Sequence, residues 1–145
     1  MNTGMKTKWE KLHSHSRFRP SYPSESVVKF VFKNFPRGNK SKILDLGCGC
    51  GRHLLFLAKE NYCAYGIDHS MDGIKYSEQL LKKLGLKAEL KVSDVDKLPF
   101  GENYFDGIVS YAVLYYCTAE KIQKAVDEIY RILKKGCTRI HFSQK

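Results

Sequence analysis

The chain contains no run of about 18 apolar residues and no leader in which a basic start, an apolar stretch and small residues follow one another. A membrane span and export are therefore not expected, and a cytoplasmic protein is. Its five cysteines, at 48, 50, 63, 117 and 137, include no C-x-x-C pair and meet no matching pair of histidines, so no metal site is expected and the thiols should be reduced. Acid is also scarce, with 15 Asp and Glu against 25 Lys and Arg. The imbalance is local: residues 1–42 hold 10 basic and 2 acidic residues, residues 43–145 hold 15 and 13. A basic N-terminal segment leaves nucleic acid open as a partner. At 145 residues the chain is long enough for one domain with a real core.

What the chain does have is a glycine-rich break after an apolar run. Ile43, Leu44 and Leu46 lead into Asp45-Leu46-Gly47-Cys48-Gly49-Cys50-Gly51, and Leu54, Leu57 and Ala58 follow at helical spacing. That pattern predicts a buried strand, a tight turn and a helix, the first half of a βαβ unit. The glycines are expected to let the backbone turn sharply, approach a ligand closely and aim the free N–H groups of the helix start at it. Arg52 stands where the third glycine of a dinucleotide fingerprint would be, and the Gly-Lys-Ser/Thr of a phosphate-cradling loop is absent. Asp45 at the strand end would repel a pyrophosphate and attract a cation. The site therefore prefers a ligand with a positive end.

Further acidic residues fall at regular places. Cys63–Asp68 reads as a second strand, with Ser70 opening a helix that runs to Leu84 and stops at Gly85. Asp68 lies 17 residues after Gly51, near where a nucleotide-binding α/β fold places the carboxylate that takes ribose hydroxyls. Residues 88–92 read as a third strand, followed by Ser93-Asp94-Val95-Asp96.

Together these stretches resemble the successive motifs of class I S-adenosylmethionine-dependent methyltransferases, in a small-molecule, type-11-like branch. The resemblance covers about three quarters of the chain. It implies S-adenosyl-L-methionine as cofactor, with Asp45 facing its amino group and Gly47, Cys48, Gly49 and Gly51 forming the loop against its methionine part. It further implies that Asp68 and His69 sit at the ribose, that Asp94 accepts from the adenine amine, and that the Val95 N–H donates to a ring nitrogen. Ser110, just past a fourth strand in Asn103–Tyr116, is implied as a further cofactor contact. Tyr111 and Tyr115 are implied on the acceptor side. Many relatives carry a histidine where Tyr115 or Tyr116 stands, so no catalytic residue is assigned.

The stretch 1–23 mixes aromatics, histidines, arginines and prolines and is read as a basic arm or lid, with Trp9, His13, Arg17, Arg19 and Tyr22 as candidate substrate contacts. Residues 24–145 form the cofactor-binding core. Ser24 caps a helix bearing Val27, Val28, Phe30, Val31 and Phe35 on one side, which Pro36-Arg37-Gly38-Asn39 ends. Thr118–Lys135 reads as an amphipathic helix stopped by Gly136, and residues 137–143 as a fifth strand.

The order of elements predicts an α/β fold, a doubly wound, mainly parallel sheet of about five strands with the ligand at their carboxyl ends. Relatives usually continue beyond strand five into an antiparallel hairpin that this chain lacks, which would leave strand five as an edge. A truncated product, a sheet completed by another subunit, or a short form without activity are the alternatives. The expected activity is methyl transfer to a small-molecule acceptor. The alternatives are an RNA or protein acceptor reached through the basic arm, and an inactive cofactor-binding partner subunit. The absence of Asn/Asp-Pro-Pro-Tyr and of a Pro-Cys nucleophile speaks against amino-methylating and cytosine-carbon-methylating nucleic-acid enzymes.

Overall fold

Short apolar strands alternating with amphipathic helices fold into one parallel sheet covered on both faces. The computed structural model describes residues 19–137 and 139–143, together with Gly4, Lys8 and Lys11. Helix α1 spans Glu25–Asn34, with the Ser24 hydroxyl accepting from the Val27 N–H. Strand β1 is Lys42–Leu46, helix α2 Arg52–Lys59 and strand β2 Cys63–Asp68. Helix α3, Met71–Lys83, is capped by Ser70, whose Oγ accepts from the Gly73 N–H at 3.1 Å. Strand β3 is Glu89–Val92 and strand β4 Gly107–Tyr111. A 3-10 turn at Leu114–Tyr116, helix α4 at Ala119–Ile132 and strand β5 at Ile140–Ser143 complete the chain.

The strand order is β3-β2-β1-β4-β5, every pairing parallel, so the order reverses at β1 between β2 and β4. Strand alternation sorts the core into two layers. Ile43 packs with Val27, Val31 and Leu54 beneath α1 and α2, whereas Leu44 and Leu46 pack with Ile108, Ile129 and Ile132 beneath α4. Each of these side chains is buried to within 1% of completely, which stabilises the fold by about 1.5–3 kcal/mol apiece. No helix among the described residues is long and apolar enough to cross a membrane.

Two boundaries differ from the sequence reading by more than one residue. Helix α4 stops at Ile132 and does not run to Lys135, because Leu133 turns extended and bridges to Phe105, whose carbonyl takes the Lys134 N–H at 3.0 Å. Strand β5 begins at Ile140 and not at Cys137, whose N–H is spent on the Lys134 carbonyl and whose thiol sits 2.9 Å from the Asp106 carbonyl oxygen. The connection between β3 and β4 is held from below by α4. Glu128 accepts from the Leu98 N–H at 2.7 Å, and Arg131 donates to the carbonyls of Leu98 and Phe100 at 2.9 and 2.7 Å.

Candidate cofactor and acceptor cleft

A cleft of about 180 Å³ opens at the carboxyl ends of β1, β2 and β4. This is where a doubly wound sheet splays its loops and leaves a crevice. One wall is the glycine loop, the β2 end with Asp68 and His69, and the β3 end with Ser93, Asp94 and Val95. The other is Tyr111, Ala112, Val113 and Tyr116, with Pro20, Arg52 and His53 at the rim.

Four of the loop's donors are spent inside the fold. Gly47 and Cys48 both donate to the Ile67 carbonyl at 2.8 Å, Gly49 to Asp68 Oδ2 at 2.8 Å, and Gly51 to the Cys48 carbonyl at 2.9 Å. This commitment covers four loop donors and not the helix-start N–H groups expected to face a ligand, of which Leu54 donates to Asp45. It also explains why the loop is no phosphate cradle, since a pyrophosphate needs those donors. Gly47 is required on two counts: its φ is +75°, and a Cβ there would lie 2.3 Å from Val113 Cγ2.

Asp68 ends β2 at 6% exposure, and each oxygen takes one backbone donor, Gly49 on Oδ2 and Ser70 on Oδ1, both at 2.8 Å. A carboxylate offers about four acceptor positions, so Oδ2 keeps capacity for a ligand, while Oδ1 also lies 3.5 Å from His69 Nδ1. Asp94 pairs with Lys121 at 2.7 Å and takes the Val95 N–H at 3.2 Å, both on Oδ1. Burial by itself would raise its pKa, but the Lys121 hydrogen bond and charge hold it below the usual carboxylate range.

Asp45 is not on the cleft wall. It is buried beneath the loop at 1% exposure, and its pKa is pushed up to about 7, first by burial and then by the Asp68 charge, against the Leu54 N–H and Arg52. Among the described residues, only Asp45 Oδ2 and His69 Nε2 are buried side-chain atoms without a hydrogen-bond partner. Buried polar atoms are ordinarily satisfied, and both orphans flank the same loop and strand end. An unmet acceptor under a cationic ligand's seat and a carboxylate with spare capacity at the β2 end fit an aminoacyl nucleoside.

Other sequence-predicted residues fall differently. Gly47, Cys48, Gly49, Gly51, Asp68, His69, Asp94, Val95 and Tyr111 line the cleft. Ser110 does not: it is 2% exposed inside β4, between Leu46 and Phe142. Tyr115 points away at 73% exposure, and Tyr116 takes the place on the wall. Tyr22 is 83% exposed and contributes its backbone carbonyl to Arg52. Trp9, His13 and Arg17 lie outside the described residues.

His53 went unnoticed in the sequence. It lines the cleft at 4% exposure, accepts the Ser24 N–H on Nε2 at 3.2 Å and packs against the Tyr111 ring at 5.2 Å. Burial, then the charges of Arg52 and His141, push its pKa down to about 3. Its place in the first turn after the last loop glycine was the available signal, because that turn always opens beside the strand's carboxyl end. Arg52 stacks over Tyr111 at 4.6 Å, joining the two walls. Ala112 adopts φ +59°, a conformation an alanine rarely takes, at the point where the chain leaves β4 for the cleft.

Comparison with known proteins gives the family. A family model described as a methyltransferase domain matches residues 43–136. The chain is 34% identical over 133 residues to a cycloartenol-C-24-methyltransferase of Arabidopsis thaliana, covering 88% of this chain and 39% of that protein. It is 30% identical over 139 residues to the tRNA (carboxymethyluridine(34)-5-O)-methyltransferase of the same plant, covering 88% and 31%. The crystal structure of a SAM-dependent methyltransferase from Methanosarcina mazei superposes with TM-score 0.69 at 31% identity, covering 74% of this chain and 53% of that one. The chain thus spans less than half the length of the two plant proteins.

Proposed function

The chain belongs to the S-adenosylmethionine-dependent methyltransferases, and on that premise we propose that it moves the methyl group of S-adenosyl-L-methionine to a small-molecule acceptor. The observation that carries the reading is the joining of two unlike walls in one cleft: Asp68 and Asp94 on one side, and the largely apolar Tyr111, Val113 and Tyr116 on the other. When bound, the cofactor supplies a methyl group already activated by a positively charged sulfur.

The chain's own residues then bind, orient and exclude water. Asp68 accepts from the ribose hydroxyls and Asp94 from the adenine amine, while the Val95 N–H, expected from the sequence to meet a ring nitrogen, is held by Asp94 Oδ1 at 3.2 Å. The glycine loop packs against the amino-acid part, whose ammonium favours the ionised form of Asp45 beneath it. Tyr111, Val113 and Tyr116 shield the acceptor side. His53 is held neutral with Nε2 occupied by the Ser24 N–H, so it positions the segment before α1 and does not accept a proton from the acceptor.

A second reading, an RNA acceptor, is favoured by the basic residues 1–42 and by Arg52 at the cleft rim. The test is a methylation assay with radiolabelled cofactor on cell extract separated into small molecules, RNA and protein. Label in the small-molecule fraction supports the first reading. Label in RNA, with binding that weakens steeply in salt, supports the second. No cofactor binding in calorimetry, alone or with extract partners, refutes both.

A further inference from the structure

Helix α4 begins Thr118-Ala119-Glu120-Lys121, with the Thr118 Oγ1 accepting from the Lys121 N–H at 3.3 Å. The third helical position ordinarily takes Glu or Gln, which completes the cap, and the positive end of the helix disfavours a cation there. Lys121 is also buried, at 9% exposure, whereas lysines are almost never buried without a partner. Two preferences are thus broken at one residue, and its burial demands a partner. Its ammonium reaches out of the helix to Asp94 Oδ1 at 2.7 Å, and Asp94 is 45% exposed and lies on the cleft wall. The Val95 N–H falls on the same oxygen at 3.2 Å.

Two donors on Oδ1 fix the Asp94 carboxylate in one rotamer and leave Oδ2 as the acceptor for the cleft. From this geometry we infer that Lys121 is a positioning residue for nucleobase recognition: it aims the carboxylate that distinguishes an amino-bearing purine from one without the amine. Lys121 does not line the cleft, so it acts only through Asp94. The inference rests on the methyltransferase reading and adds to it the residue that sets base selectivity. Other acids near Lys121 do not serve this end, since Asp96 is not on the cleft wall.

The test is calorimetric titration with S-adenosylhomocysteine and with its purine counterpart lacking the 6-amino group. The wild type should prefer the amino form by about tenfold, the value of one hydrogen bond to a charged acceptor. Lys121→Met should cut that preference to about twofold while moving the Kd of the purine counterpart less than about threefold. Lys121→Arg should restore most of the preference, and in an Asp94→Asn background Lys121→Met should change it no further. Lys121→Gln gives the same ratio should the Met variant not fold. An unchanged preference in Lys121→Met, or an equal loss for both ligands, overturns the inference. Wild-type binding of both ligands without preference overturns it too and leaves the methyltransferase reading intact. Binding of neither overturns both.

Discussion

Along the β1–β2 wall of the cleft four loop donors are committed within the fold by short bonds, whereas the β4 wall has a short backbone bond at Ala112 and beyond it rings and longer contacts. Gly47, Cys48, Gly49 and Gly51 each spend their N–H inside the fold at 2.8–2.9 Å. On the opposite side Tyr111 pairs with Ser143 and the Ala112 N–H reaches the Ser143 carbonyl at 2.7 Å, but beyond them Tyr116 donates to the Val113 carbonyl at 3.4 Å, and the Tyr111 ring meets His53 and Arg52. A wall fixed by backbone bonds presents one shape, while a wall of side chains can differ from one relative to the next. The first suits a shared cofactor and the second a variable acceptor.

The sharpest way to break this comparison is at the contact between the walls. Gly47→Ala puts a Cβ 2.3 Å from Val113 Cγ2 at φ +75°, adding backbone strain of about 1–3 kcal/mol to overpacking of about 1–3 kcal/mol. Thermal unfolding should show a loss of several kcal/mol, and calorimetry a cofactor affinity lower by more than about 100-fold. Combining it with Val113→Ala should recover the overpacking part only. A harmless Gly47→Ala would mean the loop is not the fixed wall.

Next in size is Asp68→Ala, which strands the Gly49 and Ser70 donors and removes the proposed ribose acceptor. Cofactor affinity should fall about 30–100-fold, against less than about threefold for Asp96→Ala. Equal losses would remove Asp68 from the site.

The fixed wall was largely legible in the sequence, and the reason is physical. Its parts are local: a glycine spacing, an acid at a strand end, a serine cap at Ser24 or Ser70, each dictated by residues within a few positions. Asp45 was found by the same logic, yet sequence does not tell whether a strand-end side chain reaches over the loop or under it. The β4 wall was legible only at Tyr111, because whether Ser110, Tyr115 or Tyr116 meets the cleft depends on which way each points. Strand alternation turned Ser110 inward and a three-residue turn put Tyr115 outside. The Lys121–Asp94 pair joins residues 27 apart in sequence, beyond any local pattern.

Asp45 sharpens the comparison by making the fixed wall pH-sensitive. Its folded pKa, about 7, is raised above the ordinary 3.8, so the folded state binds this proton more tightly than the unfolded chain. The stability it contributes is full below about 3.8 and is lost as pH rises to about 7, by at most about 4 kcal/mol. Asp45→Asn should therefore stabilise the ligand-free protein at pH 8 relative to pH 4, measured by denaturant unfolding. The affinity of the cationic cofactor should rise between pH 6 and pH 8 in the wild type, by up to about tenfold, and stay flat in Asp45→Asn. A pH-independent wild-type affinity would mean that Asp45 does not sense the ligand.

The smallest effects lie on the variable wall, where two adjacent tyrosines make an internal control. Tyr116 lines the cleft and Tyr115, 73% exposed, does not, although their rings touch edge to face at 5.3 Å. Tyr116→Ala should raise the acceptor KM about three- to tenfold, the worth of part of one buried aromatic contact, while leaving cofactor Kd unchanged. Tyr115→Ala should change either constant less than about twofold, because an exposed ring has little burial to lose. The comparison fails if both substitutions act on cofactor affinity, since the β4 wall would then belong to the fixed half of the cleft. It also fails if Tyr115→Ala acts on the acceptor more than Tyr116→Ala, since the ring left outside would then be the one that meets the substrate.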